Sequence, residues 1–294
     1  MKLLTFNHYS IDRNSSTDEI DNFFLDLVKG IHTYTKSNKS QLYTEIDNLS
    51  QYELSDDGYT ISRAIIALKH RDLQLNILDL ITSRCNHDCL NKLSENEQEQ
   101  ILNYEIYLKD EGDQAKDYIL LAFALENNAI LLSFNRGIWS DFKIQGVKKE
   151  NYTHTDVILY NIATEEHAIF VKLPTKNIVY SDSFKNWLLA IEPLHRDKII
   201  EKIEFVASKN FEGGRENLIE HITTDKIHHL KEITVGSAGG MSFAQIRIFF
   251  KSINNEHYIY HGFIKQNEKN QDKTYIEEIL NTEKIIKDEK LNGL

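Results

Sequence analysis

The chain has 294 residues, enough for two domains of ordinary size. With 41% hydrophobic and 27% charged residues, its composition is typical of globular rather than disordered or fibrous proteins. The apolar run Tyr118 to Leu125 is far shorter than the roughly 20 residues that span a bilayer. Residues 1–10 lack the apolar segment of a signal peptide, and two cysteines cannot form a disulfide framework, so we expect a cytoplasmic protein without a membrane partner.

The net charge is −11, and it is unevenly distributed. Residues 1–184 carry 28 acidic against 18 basic side chains, and residues 185–294 carry 17 acidic against 16 basic side chains. The first part is thus a poor nucleic-acid binder unless it holds a metal ion.

The first part of the chain mixes helical and strand-like patterns. Ser16 and Glu19 have the spacing of a capping box, and they precede an amphipathic helix that ends near Gly30. The sequence predicts a further helix that begins at Ile61 after a Thr60 cap, and helices over 73–81 and 113–127. It also predicts strands over 129–134, 157–162 and 168–173, the last two joined by a turn at 164–166. These patterns predict a mixed α/β domain over residues 1–173.

The second part has a simpler pattern. Residues 174–183 contain Pro174 and interrupt the periodicity, which predicts a linker. Pro193 is placed to begin a long helix. The remaining predicted elements are a helix over 184–191, strands over 230–235, 244–252 and 257–264, and a closing helix over 274–286. The sequence therefore predicts an α+β protein, whose second domain, residues 184–294, has two helices, an antiparallel sheet and a C-terminal helix.

Three strand segments of the second domain share a family pattern. They are Leu230-Lys231-Glu232-Ile233, Ile246-Arg247-Ile248-Phe249-Phe250 and His261-Gly262-Phe263-Ile264-Lys265. Their order, between two helices and a closing helix, resembles the RelE/ParE superfamily of bacterial toxins, and in detail its HigB-like branch. The resemblance covers roughly the last 105 residues. Thr234 stands where the family usually has arginine and Gln266 where a second lysine is common, and the domain is near neutral where free toxins are usually basic.

The resemblance implies a toxin of a toxin–antitoxin or phage-defence system that cleaves RNA, on or off the ribosome, without a cofactor or metal. Such cleavage needs a base for the 2′-hydroxyl, a cation at the phosphate and an acid for the leaving oxygen. The resemblance assigns the phosphate to Arg247 and Lys265, and the acid or a base-stacking role to Tyr275. The histidines at positions 221, 228 and 229 are candidate proton carriers, of which we select His229. The expected RNA-binding residues are Lys231, Lys269 and Lys273.

Other interpretations stay open. A structural ion pair with Glu232 is nearly as good an explanation of Arg247 as catalysis, and Thr234 and Gln266 favour a non-catalytic module that inhibits a protein partner. In the first domain, Cys85 and Cys89 lack a further Cys/His pair that would complete a zinc site.

Residues 115–135 resemble the later half of a PIN-like nuclease. Such a nuclease needs carboxylates around Mg²⁺ or Mn²⁺, but the first strand lacks an early Asp and Asn135 stands where a carboxylate is wanted. We therefore interpret the first domain as a non-catalytic regulator, whose acidic surface inhibits the toxin unless a separate antitoxin does so.

Overall fold

The computed structural model describes residues 2–36, 39–87, 93–106, 119–134, 137–213, 219–222, 224–236, 245–265 and 271–291. The chain forms two compact units, Met1–Val171 and Lys172–Leu294. Both contain helices and a mixed sheet, which confirms the α+β class. Within the described ranges, no helix has the length and apolar character needed to cross a membrane.

The first unit is built on a seven-stranded sheet with the order β3-β2-β1-β5-β7-β6-β4. Its strands are Lys2–Phe6 (β1), Ser40–Tyr43 (β2), Cys85–Asn86 (β3), Tyr104–Ile106 (β4), Ile130–Leu132 (β5), Lys143–Glu150 (β6) and Thr153–Ile162 (β7). Strands β3, β2, β1, β5 and β7 are neighbours that pair in parallel. Strand β6 pairs antiparallel with β7, and β4 pairs antiparallel with β6, so these two strands form an antiparallel edge. The central strands are short and apolar because helices bury parallel sheets on both faces.

The helices of the first unit are Thr17–Thr35 (α1), Ile61–Ala67 (α2), Arg71–Ser83 (α3), Glu95–Ile101 (α4), Ile119–Glu126 (α5) and Glu165–Lys172 (α6). The predicted capping box at the start of α1 is confirmed, with Ser16 and Glu19 bonded to each other's backbone N–H. The first residues of the helix predicted over 113–127 lie outside the described residues.

The prediction of a strand over 168–173 is wrong, because residues 168–172 belong to α6. The Thr164 hydroxyl oxygen accepts a hydrogen bond from the His167 N–H at 3.2 Å, and Glu165 and Glu166 occupy the first helical turn. A polar cap and acidic residues near the positive end of a helix favour helix, and they outweigh the alternating pattern that follows.

The second unit has a five-stranded sheet with the order β8-β12-β11-β10-β9. Its elements are Ile178–Tyr180 (β8), Asp182–Ala190 (α7), Pro193–Ser208 (α8), Ile219–His221 (β9), Lys231–Thr234 (β10), Ile246–Ile253 (β11), Glu256–Ile264 (β12) and Gln271–Asp288 (α9). The antiparallel pairing of β10, β11 and β12 agrees with the sequence prediction. The three-residue strand β9 was not predicted, because so short a segment carries little periodicity.

The interpretation of residues 174–183 as a linker is wrong. Residues 178–180 form β8, which pairs in parallel with β12. Ser181 then caps α7 by accepting the Phe184 N–H at 2.9 Å, while its hydroxyl donates to the Tyr260 carbonyl. Pro174 precedes this strand rather than separating two folded units, so the second unit begins before residue 184.

The second sheet is covered on both faces. One face packs against α9 through an apolar cluster that includes Phe249, Phe263 and Ile279. On the other face the Trp187 ring of α7 lies directly over Gly262, and Phe211, just after α8, contacts Phe250 with ring centroids 5.1 Å apart. We call these the α9 face and the α7/α8 face.

Candidate functional site

Arg247 and Lys265 lie on the α9 face of the second sheet. Arg247 of β11 is directly opposite Phe263 of β12. Lys265 follows Phe263 by two residues and continues the ladder by donating its N–H to the Gln245 carbonyl at 2.8 Å. Because side chains two residues apart in a strand share a face, both cations project from the same side of the sheet.

Two further side chains complete a polar cluster around these cations. The Arg247 Nε lies 2.8 Å from Glu232 Oε1, and the Tyr275 hydroxyl of α9 donates to Glu232 Oε2 at 2.5 Å. The Lys265 Nζ lies 5.1 Å from the centre of the Tyr275 ring. We call Glu232, Arg247, Lys265 and Tyr275 the Arg247 cluster. It shows the ion pair that the sequence analysis considered for Arg247.

Burial controls the protonation of this cluster. Glu232 is 3% exposed, and the loss of water raises the pKa of its carboxyl more than Tyr275 and Arg247 lower it. Burial also raises the pKa of Tyr275, and the adjacent Glu232 carboxylate raises it further. Tyr275 therefore stays protonated at neutral pH, so it can donate a hydrogen bond or a proton and is a poor base.

Aromatic packing positions Tyr275. Its ring meets Phe263 edge-on with centroids 5.6 Å apart and lies 6.2 Å from Phe249. These contacts fix the first turns of α9 against the sheet. Tyr275 is consequently placed by tertiary packing and by its hydrogen bond to Glu232.

The sequence analysis did not assign a role to His261, which also lies on the α9 face because its β11 partner is Phe249. The His261 Nε2 is 2.8 Å from Glu278 Oε2 of α9, and this contact lowers the pKa of Glu278. The other ring nitrogen, Nδ1, is buried and has no hydrogen-bond partner among the described residues. The spacing of His261 two residues before Phe263 indicates only that these side chains share a face of the strand. The contact of His261 with Glu278 follows from the packing of α9 on the sheet.

The three histidines that the sequence analysis considered as proton carriers lie elsewhere. His229 is exposed in the turn before β10, where its φ is 60°, and His228 beside it is exposed. His221 pairs with Lys231 and therefore lies on the α7/α8 face. Of the four histidines considered, only His261 shares a face with Arg247.

The two predicted RNA-binding lysines that the structure describes, Lys231 and Lys273, are not part of the Arg247 cluster. Lys231 lies on the α7/α8 face, opposite Phe250, with its Nζ 5.8 Å from that ring. Lys273 is exposed on α9, with its Nζ 3.9 Å from Glu277. Lys269 lies outside the described residues.

The first unit offers no comparable site in its described part. Across those residues, no group of three or more His, Cys, Asp or Glu side chains is placed to hold a metal ion. Cys85 is half-buried, while Cys89 and Asn135 lie outside the described residues. At the carboxyl end of β1, the buried Asn7 donates its side-chain amide to the Ser133 hydroxyl at 3.1 Å, so it ties two strands together.

Comparison of the chain with known protein families gave no match, and searches of curated proteins and of solved structures gave none. The function of the Arg247 cluster therefore has to be inferred from its own geometry.

Proposed function

We propose that the second unit is a metal-free endoribonuclease of the RelE/HigB kind, from a bacterial toxin–antitoxin or phage-defence system, and that the acidic first unit restrains it. The observation that supports this most is the shared face of Arg247 and Lys265, with the Tyr275 ring of α9 5.1 Å from the Lys265 Nζ. Two cations beside a protonated tyrosine form an arrangement suited to a phosphodiester.

In this proposal Arg247 and Lys265 hold the scissile phosphate. Glu232 is a positioning residue that holds the Nε side of the guanidinium. The phosphate then approaches the edge of the Arg247 side chain, which is 13% exposed. A charge that develops on the phosphate oxygens is stabilised by donors that are already oriented.

Two groups can move the protons. In this proposal His261 accepts the 2′-hydroxyl proton and Glu278 orients its ring through Nε2; because Nδ1 is buried, the substrate has to displace the packing around this nitrogen to reach it. The 2′-oxygen then bonds to phosphorus, the bond to the 5′-oxygen breaks, and Tyr275 gives that oxygen its proton. The products are a 2′,3′-cyclic phosphate and a 5′-hydroxyl. Two residues along β12, about 7 Å, separate His261 from Phe263, the partner of Arg247.

The test is to sequence RNA 5′ ends in bacteria after induction of the full chain, and of residues 172–294 in case the first unit blocks activity. We expect new 5′-hydroxyl ends that Lys265→Gln reduces at least about tenfold, the loss typical of a general acid–base or phosphate contact. Lys251→Gln is the matched control, because Lys251 lies on the same face of β11, four residues from Arg247. Equal cleavage by the Lys265 and Lys251 variants would contradict the assignment of the site.

A binding module without chemistry is the second candidate. The engagement of Arg247 by Glu232 favours it, because an ion pair already occupies the guanidinium. This function predicts growth inhibition without new RNA ends. A metal-dependent nuclease in the first unit would instead give cleavage that EDTA abolishes and that the Lys265 variant retains.

A further inference from the structure

The outer edge of β12 is paired over only part of its length. β8 pairs with His257–Ile259, and within the described ranges no strand continues along this side of β12. The Lys265 N–H points toward β11, where it bonds to Gln245. Since backbone groups alternate in direction along an antiparallel strand, those of Gly262 and Ile264 point outward from the sheet.

A groove of about 400 Å³ runs beside this edge. One wall is Trp187 of α7, and the other wall consists of Glu277, Glu278 and Asn281 of α9. The indole packs so closely on Gly262 that an added Cβ would lie 2.1 Å from its ring. Trp187 therefore forms a flat aromatic wall of the groove, directly over Gly262.

The groove is lined by two carboxylates and one histidine, and none of its described lining residues is Lys or Arg. Glu278 contacts the ring of His261, and Glu277 lies 3.9 Å from Lys273 of the same helix, so Glu277 is the carboxylate that is more open to a further cation. Glu277 has a side chain that is 63% exposed, and Ile264 is an exposed apolar side chain on the strand itself. A strand edge that no described strand covers, with an apolar and acidic border, is a template for an added strand.

We propose that this edge of β12 binds an extended cationic peptide segment of a partner protein as an additional strand. The peptide backbone bonds to the outward groups of Gly262 and Ile264. Its alternate side chains, which repeat every second residue, place lysine or arginine beside Glu277 and Glu278 and apolar groups on Trp187. A second copy of this chain fits less well, because a two-fold edge-to-edge pairing would bring equivalent carboxylates together.

The proposal is tested on the full chain with a fluorescent peptide of alternating valine and lysine. The comparison peptides carry glutamate in place of lysine, or N-methyl groups that remove the backbone donors on one edge. We expect that only the lysine peptide binds, and that its binding slows amide hydrogen exchange at Gly262 and Ile264. Equal binding of the three peptides would overturn the proposal.

Two variants locate the binding to this edge. Ile264→Pro removes an outward N–H, a change that edge strands tolerate, and it should abolish binding. Glu277→Gln should weaken binding about 2- to 5-fold, as expected for a rim charge. Asp288→Asn, at the end of α9 and outside the groove, should leave binding unchanged.

Binding that survives Ile264→Pro contradicts the proposal. So does a concentration-dependent dimer, measured by light scattering, that Ile264→Pro dissociates, because the edge would then belong to a second copy. Neither outcome depends on RNA cleavage, so this proposal and the proposed nuclease can fail separately.

Discussion

The two faces of the second sheet bury different kinds of side chain. The α9 face encloses charges, with Glu232 and Arg247 paired beneath Tyr275. The α7/α8 face encloses flat contacts, with Trp187 on Gly262 and Phe211 stacked on His257 at 4.1 Å. Buried charges are costly unless they are paired, whereas close ring packing leaves no room for an added group. One face is therefore sensitive to the loss of a partner, and the other to the gain of an atom.

The largest loss of stability is expected from a substitution on the α9 face. Arg247→Ala leaves Glu232 buried without its ion-pair partner, which should destabilise the second unit by about 3–5 kcal/mol. Arg247→Met combined with Glu232→Gln should recover most of that loss, because no uncompensated charge remains. Hydrogen exchange of the β10 and β11 amides measures the second unit alone. A loss below about 1 kcal/mol in the single variant would show that the ion pair behaves as an exposed one.

An intermediate effect is expected on the α7/α8 face. Gly262→Ala places a methyl group against the Trp187 ring, which should cost about 1–3 kcal/mol through overpacking. The same substitution in a Trp187→Leu background should cost much less, since the ring that it meets is gone. Chemical denaturation of the four proteins of this double-mutant cycle measures the coupling. Additive effects would mean that the two residues do not constrain each other.

The smallest expected effect is a difference in how the buried titratable groups of the two faces change the folding stability with pH. On the α7/α8 face, burial lowers the pKa of His257, and Lys231 lowers it further. Ser252 and Asn210 are the other polar groups that contact the ring. Since the unfolded histidine titrates near about 6.5, the unfolded state binds more protons below that pH. The stability from neutral His257 is thus complete above about pH 6.5 and falls as the pH drops.

Glu232 on the α9 face changes the folding stability with pH in the opposite direction. Its pKa is raised in the folded state, so its contribution is most favourable below the unfolded pKa and decreases as the pH rises through the folded value. We expect His257→Gln to flatten the loss of stability between pH 7 and pH 5.5, measured by hydrogen exchange of β12 amides. Glu232→Gln should leave that loss in place. Identical slopes in the wild type and the His257 variant would contradict this assignment.

Local sequence patterns determined much of the fold of this protein. The capping box of Ser16 and Glu19, the proline at the start of α8 and the apolar runs of β11 and β12 each act within a few residues of the chain. These elements can be predicted from the sequence because helix caps and hydrophobic periodicity depend on residues that are close together in the chain. The resemblance of three strand segments to a toxin family, rather than these local signals, led to Arg247, Lys265 and Tyr275, and the position of Arg247 in an apolar strand led to Glu232 as its partner.

Tertiary structure alone decided the rest. The three residues of β8 form a strand only because β12 accepts them. Lys231 and Arg247 lie on opposite faces, and His261 rather than His229 reaches the α9 face, because strand register assigns each side chain to one side of the sheet. The partnership of His261 with Glu278 joins residues 17 positions apart in the chain. Short strands, register and helix docking depend on contacts between distant residues, which no local pattern encodes.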